Sequence, residues 1–137
     1  MKSRESLIRL KRFQVDEKRR QVGQIELMVT EFEGMIRDLD AQIAVEEEKA
    51  GISDIAHFAY PTFAKAAIQR KENLQVSIDD LNEQLERAQD QLREAVAEMK
   101  KVEMLEERDH HREQAARDQA EQDELDDFAM IGHRRGH

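Results

Sequence analysis

The chain has 137 residues, of which 39% are charged and 4% aromatic, with one proline, five glycines and no cysteine. So few aromatic residues leave little material for a globular core, and we expect one extended α-helical unit. The missing thiols exclude disulfides, thiolate catalysis and cysteine-ligated zinc, and no apolar run approaches the roughly 20 residues that a bilayer requires. The net charge of −9 disfavours tight non-specific binding to nucleic acid.

The first predicted element is a coiled-coil helix over residues 2–50. β-branched residues recur there at every seventh position: Ile8, Val15, Val22, Val29, Ile36 and Ile43. The second apolar position of the heptad is supplied by Ile25, Phe32 and Leu39. Such a repeat is typical of a helix that packs along one stripe, here called the seam, against another helix.

Helix breakers between residues 51 and 61 predict a turn. Gly51 follows the last seam residues as a C-terminal cap would, and Ser53 or Asp54 is suited to cap a short helical turn. Pro61 is tolerated at the first position of a new helix. Aromatic side chains in this region are expected to cap the turn rather than to form an exposed tip: Phe58, Tyr60 and Phe63.

A second heptad run predicts a helix over residues 62–128, followed by a flexible tail over residues 129–137. Its two seam positions hold Lys71, Ile78, Leu85, Leu92 and Met99, and Ala67, Leu74, Leu81, Ala88, Ala95 and Val102. Residues 1–20 are basic and residues 103–127 acidic, so an antiparallel arrangement would bring opposite charges together. We therefore expect an all-α fold, in which residues 1–137 form one long antiparallel two-helix coiled-coil hairpin with a C-terminal single-helix extension beyond about residue 113.

The register of this hairpin can be predicted from the charged residues that interrupt each seam, because buried charges need opposite partners. Pairs whose numbers sum to 117 satisfy this rule: Glu46 with Lys71, Lys11 with Glu106 and Arg4 with Glu113. A slip of one heptad would instead place Lys71 against Leu39 and Lys18 against Leu92. We expect the first register.

Catalysis has no visible support in the sequence. A two-helix rod offers no enclosed concavity for a site, so we expect no enzyme activity, no cofactor and no metal. His110 and His111 are adjacent and so point to different sides of a helix. The acidic residues are expected to form the solvated face of a long helix.

Leu10 and Phe13 are the most informative residues outside the seam. They are three residues apart, so they expose hydrocarbon on one helix face, and basic residues surround them in the sequence: Lys2, Arg4, Arg9 and Arg12. This combination predicts a partner-binding surface with apolar anchors and a basic rim. The alternative is that the C-terminal helix or a second copy of the chain covers the pair.

Two weaker apolar sets also lie off the seam. Leu27, Met28 and Met35 flank it in the middle of the first helix, where packing at the edge of the coiled coil is the simpler explanation. A C-terminal set could close back onto the chain or bind a partner: Leu125, Phe128, Met130 and Ile131.

Three stretches of the sequence carry a family resemblance: the basic amphipathic opening Lys2–Phe13, the charged run Asp16–Arg20 and the turn segment His57–Ala67. Together with the length of the hairpin, they are similar to the FliJ family of bacterial flagellar export proteins. The similarity spans essentially the whole chain.

The resemblance implies a non-enzymatic stalk of the flagellar type III protein export apparatus. Such a stalk would insert the end that carries both termini into the ring of the flagellar export ATPase and stimulate it, contact the cytoplasmic domain of the export gate, and be linked to export chaperones. It would be cytoplasmic, at the cytoplasmic face of the inner membrane, with no membrane insertion and no nucleic acid. The residues expected to face the ATPase ring are Arg4, Arg9, Leu10, Arg12 and Phe13. The resemblance assigns no residues to the gate contact, and Leu27, Met28 and Met35 are expected there only because they lie off the seam.

Other interpretations stay open at this point. The rod could be the equivalent stalk of a virulence-type secretion system, or a generic coiled-coil tether or homodimeric scaffold. A nucleic-acid binder is disfavoured, because the acidic extension would lie beside the basic opening and compete with phosphate.

Overall fold

The protein is all-α over the part of the chain that the computed structural model describes, residues 2–52 and 54–135. It contains two long helices, α1 (Lys2–Ala50) and α2 (Asp54–Arg135), and these residues include no strand. None of the described helices is both long and apolar enough to cross a membrane. The helices contribute to two compact units: the terminal unit contains Met1–Gln14 and Ala95–His137, and the central unit contains Val15–Glu94.

The core of the central unit follows the predicted seam. Val15 is its most deeply buried side chain, with 1% of its surface exposed. The other buried residues of this unit are Leu39, Ala67, Ile78, Leu81 and Ala88, all at seam positions. Polar contacts between the two helices border this core, where Lys18 donates to Gln91 at 3.1 Å and Lys71 pairs with Asp40.

The terminal unit has a smaller core, which includes Ile8 and Val102. Lys11 pairs with Glu98 at 3.0 Å. The Arg4 guanidinium donates to the carbonyl oxygen of Leu105 at 3.2 Å and also pairs with Asp109. All three contacts join the first turns of α1 to α2.

Residues 111–132 of α2 are exposed along their whole length. The hydrogen bonds between side chains in this stretch are local, because each glutamine amide donates to an aspartate four residues later: Gln114 to Asp118, Gln119 to Asp123 and Gln122 to Asp126. Residues four apart are neighbours on a helix surface, and such pairs stabilise a helix by about 0.2–0.5 kcal/mol each.

The predicted register is wrong by about one heptad. The observed partners are Asp40 for Lys71, Glu98 for Lys11, and Leu105 and Asp109 for Arg4. The side chains of Lys11 and Lys71 keep 22% and 31% exposure, because a lysine can bury its methylene groups and extend its ammonium group to the edge of the seam. Such a charge stays hydrated and needs no buried partner, so it does not determine the alignment.

The boundaries of the turn also differ from the prediction. α1 ends at Ala50, as expected, and the Gly51 amide donates to the carbonyl oxygens of Glu47 and Glu48 at 3.3 and 3.2 Å. Gly51 does so without a left-handed φ. The predicted cap at Ser53 lies outside the described residues.

α2 begins at Asp54 rather than at residue 62, and it continues to Arg135 rather than ending at residue 128. Asp54 places a carboxylate in the first turn, where the helix dipole favours it. Gly132 does not end the helix, because a helical glycine costs only about 1 kcal/mol relative to alanine. The predicted tail is thus helical over residues 129–135.

Pro61 lies inside α2 as its eighth residue, so it removes a backbone donor beyond the first turn. We expect Pro61→Ala to raise the free energy of unfolding by about 1 to 3 kcal/mol, because alanine restores the hydrogen bond to His57 and removes the ring clash. Denaturant unfolding monitored by circular dichroism measures the change. A loss of stability would instead mean that the proline ring fixes a bend that the native packing requires.

Candidate partner-binding surface

Leu10 and Phe13 form an exposed apolar pair on α1 in the terminal unit. They have 50% and 54% of their surface exposed. At about 100° per residue, both lie roughly 140–160° around the helix from the seam residues Ile8 and Val15. The pair, called here the outer pair, therefore projects from the side of α1 opposite the seam, as predicted.

The predicted basic rim is only partly assembled. Arg9 is exposed and lies about 40° from Phe13 around the helix. Arg4 lies on the seam side, where Leu105 and Asp109 hold its guanidinium. The side chain of Lys2 lies outside the described part of the structure. Arg9 is therefore the arginine that the fold places beside the outer pair.

Arg12 belongs to a different environment. It lies about 100° from Phe13 around α1 and lines a groove between the helices together with Ile8, Glu103, Glu106, Glu107 and His110. Three carboxylates and one arginine line this groove, so this flank is acidic rather than basic. The charge distribution of the sequence predicts acidic residues beside this basic segment, and the structure identifies the glutamates that share a groove with Arg12.

Leu27, Met28 and Met35 do not form one surface. They lie in the central unit with 59%, 43% and 41% of their surface exposed. Met28 and Met35 are seven residues apart and share one flank, whereas Leu27 lies about 100° from Met28. Met35 lines a groove with Asp38, Leu39, Gln42 and Arg70. Among the residues predicted for the gate, the two methionines therefore share one side of α1, about 10 Å apart along the helix.

A second apolar surface with basic neighbours was missed from the sequence. Met104 and Leu105 of α2 are 64% and 37% exposed, and they line a groove in the terminal unit with Ala97, Lys100, Lys101 and Arg108. Met104 occupies the heptad position farthest from the seam. Met104 could have been predicted from the sequence in the same way as Leu10 and Phe13, because it is an apolar residue outside the seam with basic neighbours.

The C-terminal apolar set is exposed, and glutamate side chains lie next to it. Leu125 and Phe128 have 63% and 76% of their surface exposed, and they line a shallow groove with Glu121 and Glu124.

Near the turn, Ile52, Ile55 and Phe58 are 83–84% exposed. The prediction that Phe58 caps the turn is therefore wrong, because α2 begins before this residue and carries it outward.

The described residues contain no group of three or more histidine or carboxylate side chains that could hold a metal ion. The grooves on both units are shallow and open along the helices, and each is lined by residues of one or both helices. Such surfaces suit contacts with other macromolecules better than enclosure of a small substrate.

Comparison with known proteins gave one finding. A family model with the description "Flagellar FliJ protein" matches residues 1–137. Neither the curated proteins nor the solved structures gave a match.

Proposed function

Since the chain belongs to the flagellar FliJ family over residues 1–137, and is thus a component of the flagellar protein export apparatus, we propose that it is the stalk of that apparatus. In this role it engages and stimulates the export ATPase ring and links the ring to the export gate and to export chaperones. It acts at the cytoplasmic face of the inner membrane. ATP hydrolysis belongs to the ring.

The stalk is an antiparallel coiled-coil hairpin in this proposal. In the central unit, Lys18 pairs with Gln91 and Asp40 with Lys71, so the residue number on α2 falls as the number on α1 rises. In the terminal unit, the contacts of Lys11 with Glu98 and of Arg4 with Leu105 follow the same order. The exposed residues 111–132 form the single-helix extension of the hairpin.

The observation that carries the proposed ATPase contact is the exposure of the outer pair. Leu10 and Phe13 lie on the first turns of α1, with half of each side chain in water and Arg9 beside them. Arginine is enriched among the residues that dominate binding energy at protein interfaces, and the exposed apolar side chains beside Arg9 supply hydrocarbon for a partner to bury. We assign Leu10, Phe13 and Arg9 to the centre of this contact, with Arg12 on the adjoining flank and Arg4 in a supporting role through Asp109.

Contact with the export gate is assigned to the central unit, to the flank of α1 that carries Met28 and Met35, with Leu27 on the adjoining side of the helix. Methionine side chains adapt to different partner shapes because they are unbranched and flexible. Their partial exposure, 43% and 41%, leaves enough apolar surface for a modest contact. The binding partner is expected to present apolar side chains to this flank.

Stimulation would arise from physical coupling. A stiff hairpin with two unlike helices contacts the subunits of a ring unequally, so its binding free energy differs among the states of the ring. A partner with different affinities for different states shifts their populations. The chain therefore needs no nucleotide site of its own to change the turnover of the ring.

Turnover of the cognate flagellar export ATPase, measured with and without the chain, tests this function. We expect a higher turnover together with ring assembly, which light scattering reports. Unchanged turnover and unchanged assembly at saturating concentrations of the chain would contradict the stalk proposal.

A further inference from the structure

A second heptad stripe runs along the outer side of α2 in the terminal unit. Its residues alternate at spacings of three and four: Ala97, Lys100, Met104, Glu107, His111, Gln114, Asp118, Glu121, Leu125, Phe128 and Gly132. All of them are exposed. A stripe with this spacing can pack against another helix in the manner of a coiled coil. In contrast to the seam, its apolar residues lie towards its two ends and its centre is polar.

The two ends of the stripe are complementary to each other. At one end, Met104 lies in an apolar groove with three basic side chains, Lys100, Lys101 and Arg108. At the other end, Leu125 and Phe128 lie with two acidic side chains: Glu121 and Glu124. Apolar anchors with opposite charges beside them are the combination that steers and orients a protein contact.

These two ends cannot meet within one chain. Both lie on the continuous helix α2, and Leu125 follows Met104 by 21 positions, which separates the two by about 32 Å at 1.5 Å per residue. A second copy of the chain, however, carries both ends at the same separation. An antiparallel arrangement about a two-fold axis would therefore form the contact twice, as in other symmetric dimers.

We propose that two copies of this chain form a symmetric dimer through the outer stripe of α2, with the two stripes antiparallel and centred near Gln114. Met104 of each copy then packs against Leu125 of the other, and Lys100 covers Phe128 with its methylene groups. His111 lies opposite Asp118, and Glu121 lies opposite Glu107, with Arg108 next to Glu107 on the same helix. This inference does not depend on the proposed role as a stalk.

Charge favours this arrangement over a parallel one. In a parallel dimer each residue faces its own copy, so Lys100, Glu107, Asp118 and Glu121 would each meet a like charge. In the antiparallel arrangement Glu107 still faces Glu121, but Lys100 gains the apolar partner Phe128. Asp118 gains the imidazole of His111, whose ring N–H can donate a hydrogen bond to the carboxylate. The polar centre makes the contact weak and dependent on salt concentration, since exposed charge pairs are screened.

Cysteine cross-linking tests the arrangement directly, because the natural chain has no cysteine. Gln114→Cys should form a disulfide-linked dimer under mild oxidation, since the two copies of residue 114 lie next to each other. Lys100→Cys should not, because its two copies lie about 42 Å apart along the axis. A link at both positions would indicate a parallel dimer, and a link at neither would exclude a contact through this stripe. Either result overturns the proposal.

Sedimentation of the unmodified chain gives a second readout. We expect a concentration-dependent mass that rises from 16.0 kDa towards twice that value, and a monomer at every concentration would contradict the proposal. Leu125→Asp should raise the dimer dissociation constant at least about tenfold, because it places a charge against Met104. Val76→Asp, at a residue of α2 with 68% exposure in the central unit, is the matched control. An equal effect of both substitutions would place the contact elsewhere.

Discussion

Leu10→Asp and Phe13→Asp are each expected to raise the concentration of the chain needed for half-maximal stimulation of the export ATPase by about tenfold. A tenfold loss corresponds to about 1.4 kcal/mol, which is typical of removing one apolar anchor from an interface. The new carboxylate would also have to be desolvated against the ring. The far-ultraviolet circular dichroism should not change, since Leu10 and Phe13 are 50% and 54% exposed and lie outside the core.

The control for these variants is Val76→Asp, which introduces the same aspartate at an exposed apolar residue of α2. It adds the same charge without touching the outer pair, so stimulation should stay at the level of the natural chain. Phe13→Leu should keep most of the activity, because it retains an apolar side chain. If the aspartate variants stimulate turnover normally, the outer pair is not the contact, although the stalk role itself could still hold through another surface.

Val15→Asp should have the largest effect on stability. Val15 is 1% exposed at the seam of the central unit, and the short aspartate side chain cannot reach water as the seam lysines do. A buried charge without a partner costs about 3 kcal/mol or more. Denaturant unfolding monitored by circular dichroism should therefore show a midpoint shifted to much lower denaturant.

Val45→Asp is the control for Val15→Asp. It makes the same valine-to-aspartate change on α1 at an exposed position, so it measures the effect of the substitution on the helix without the cost of burying a charge. Val45 lies on the same helix and in the same unit but is 49% exposed. Its substitution should cost less than about 1 kcal/mol, as is usual on a helix surface. Similar losses at both positions would show that the seam is not the core of this unit.

The heptad spacing of apolar residues was sufficient to predict which side of each helix is buried, but not how the two helices are aligned. The heptad spacing of Val15, Ile78 and Leu81 identified the buried stripe because apolar burial dominates the packing of two helices. The register was predicted incorrectly because it was derived from Lys71 and Lys11, whose ammonium groups reach water and contribute little to the choice. α2 begins at Asp54 rather than after Pro61, because a proline weakens a helix locally without ending one that has already begun, and the carboxylate of Asp54 favours the earlier start.

Only the part of the candidate surface that depends on a single helix could be predicted from the sequence. The outer position of Leu10 and Phe13 follows from helical periodicity alone, and so does the position of Arg9. The positions of Arg4 and Arg12 depend on which α2 residues lie across from them, Asp109 in one case and a group of glutamates in the other. Contacts between helices depend on the register, which the periodicity leaves open to shifts of a whole heptad.

The glutamine and aspartate pairs of residues 111–132 have a consequence for the order of folding events. Each of these hydrogen bonds joins residues only four apart, whereas the contact of Lys11 with Glu98 must bring together residues 87 apart. Local helical contacts form within about a microsecond, but closing a long loop is slower and entropically more costly. The C-terminal stretch should thus become helical before α1 reaches α2, and it can present an ordered surface even while the remainder of the chain is still assembling.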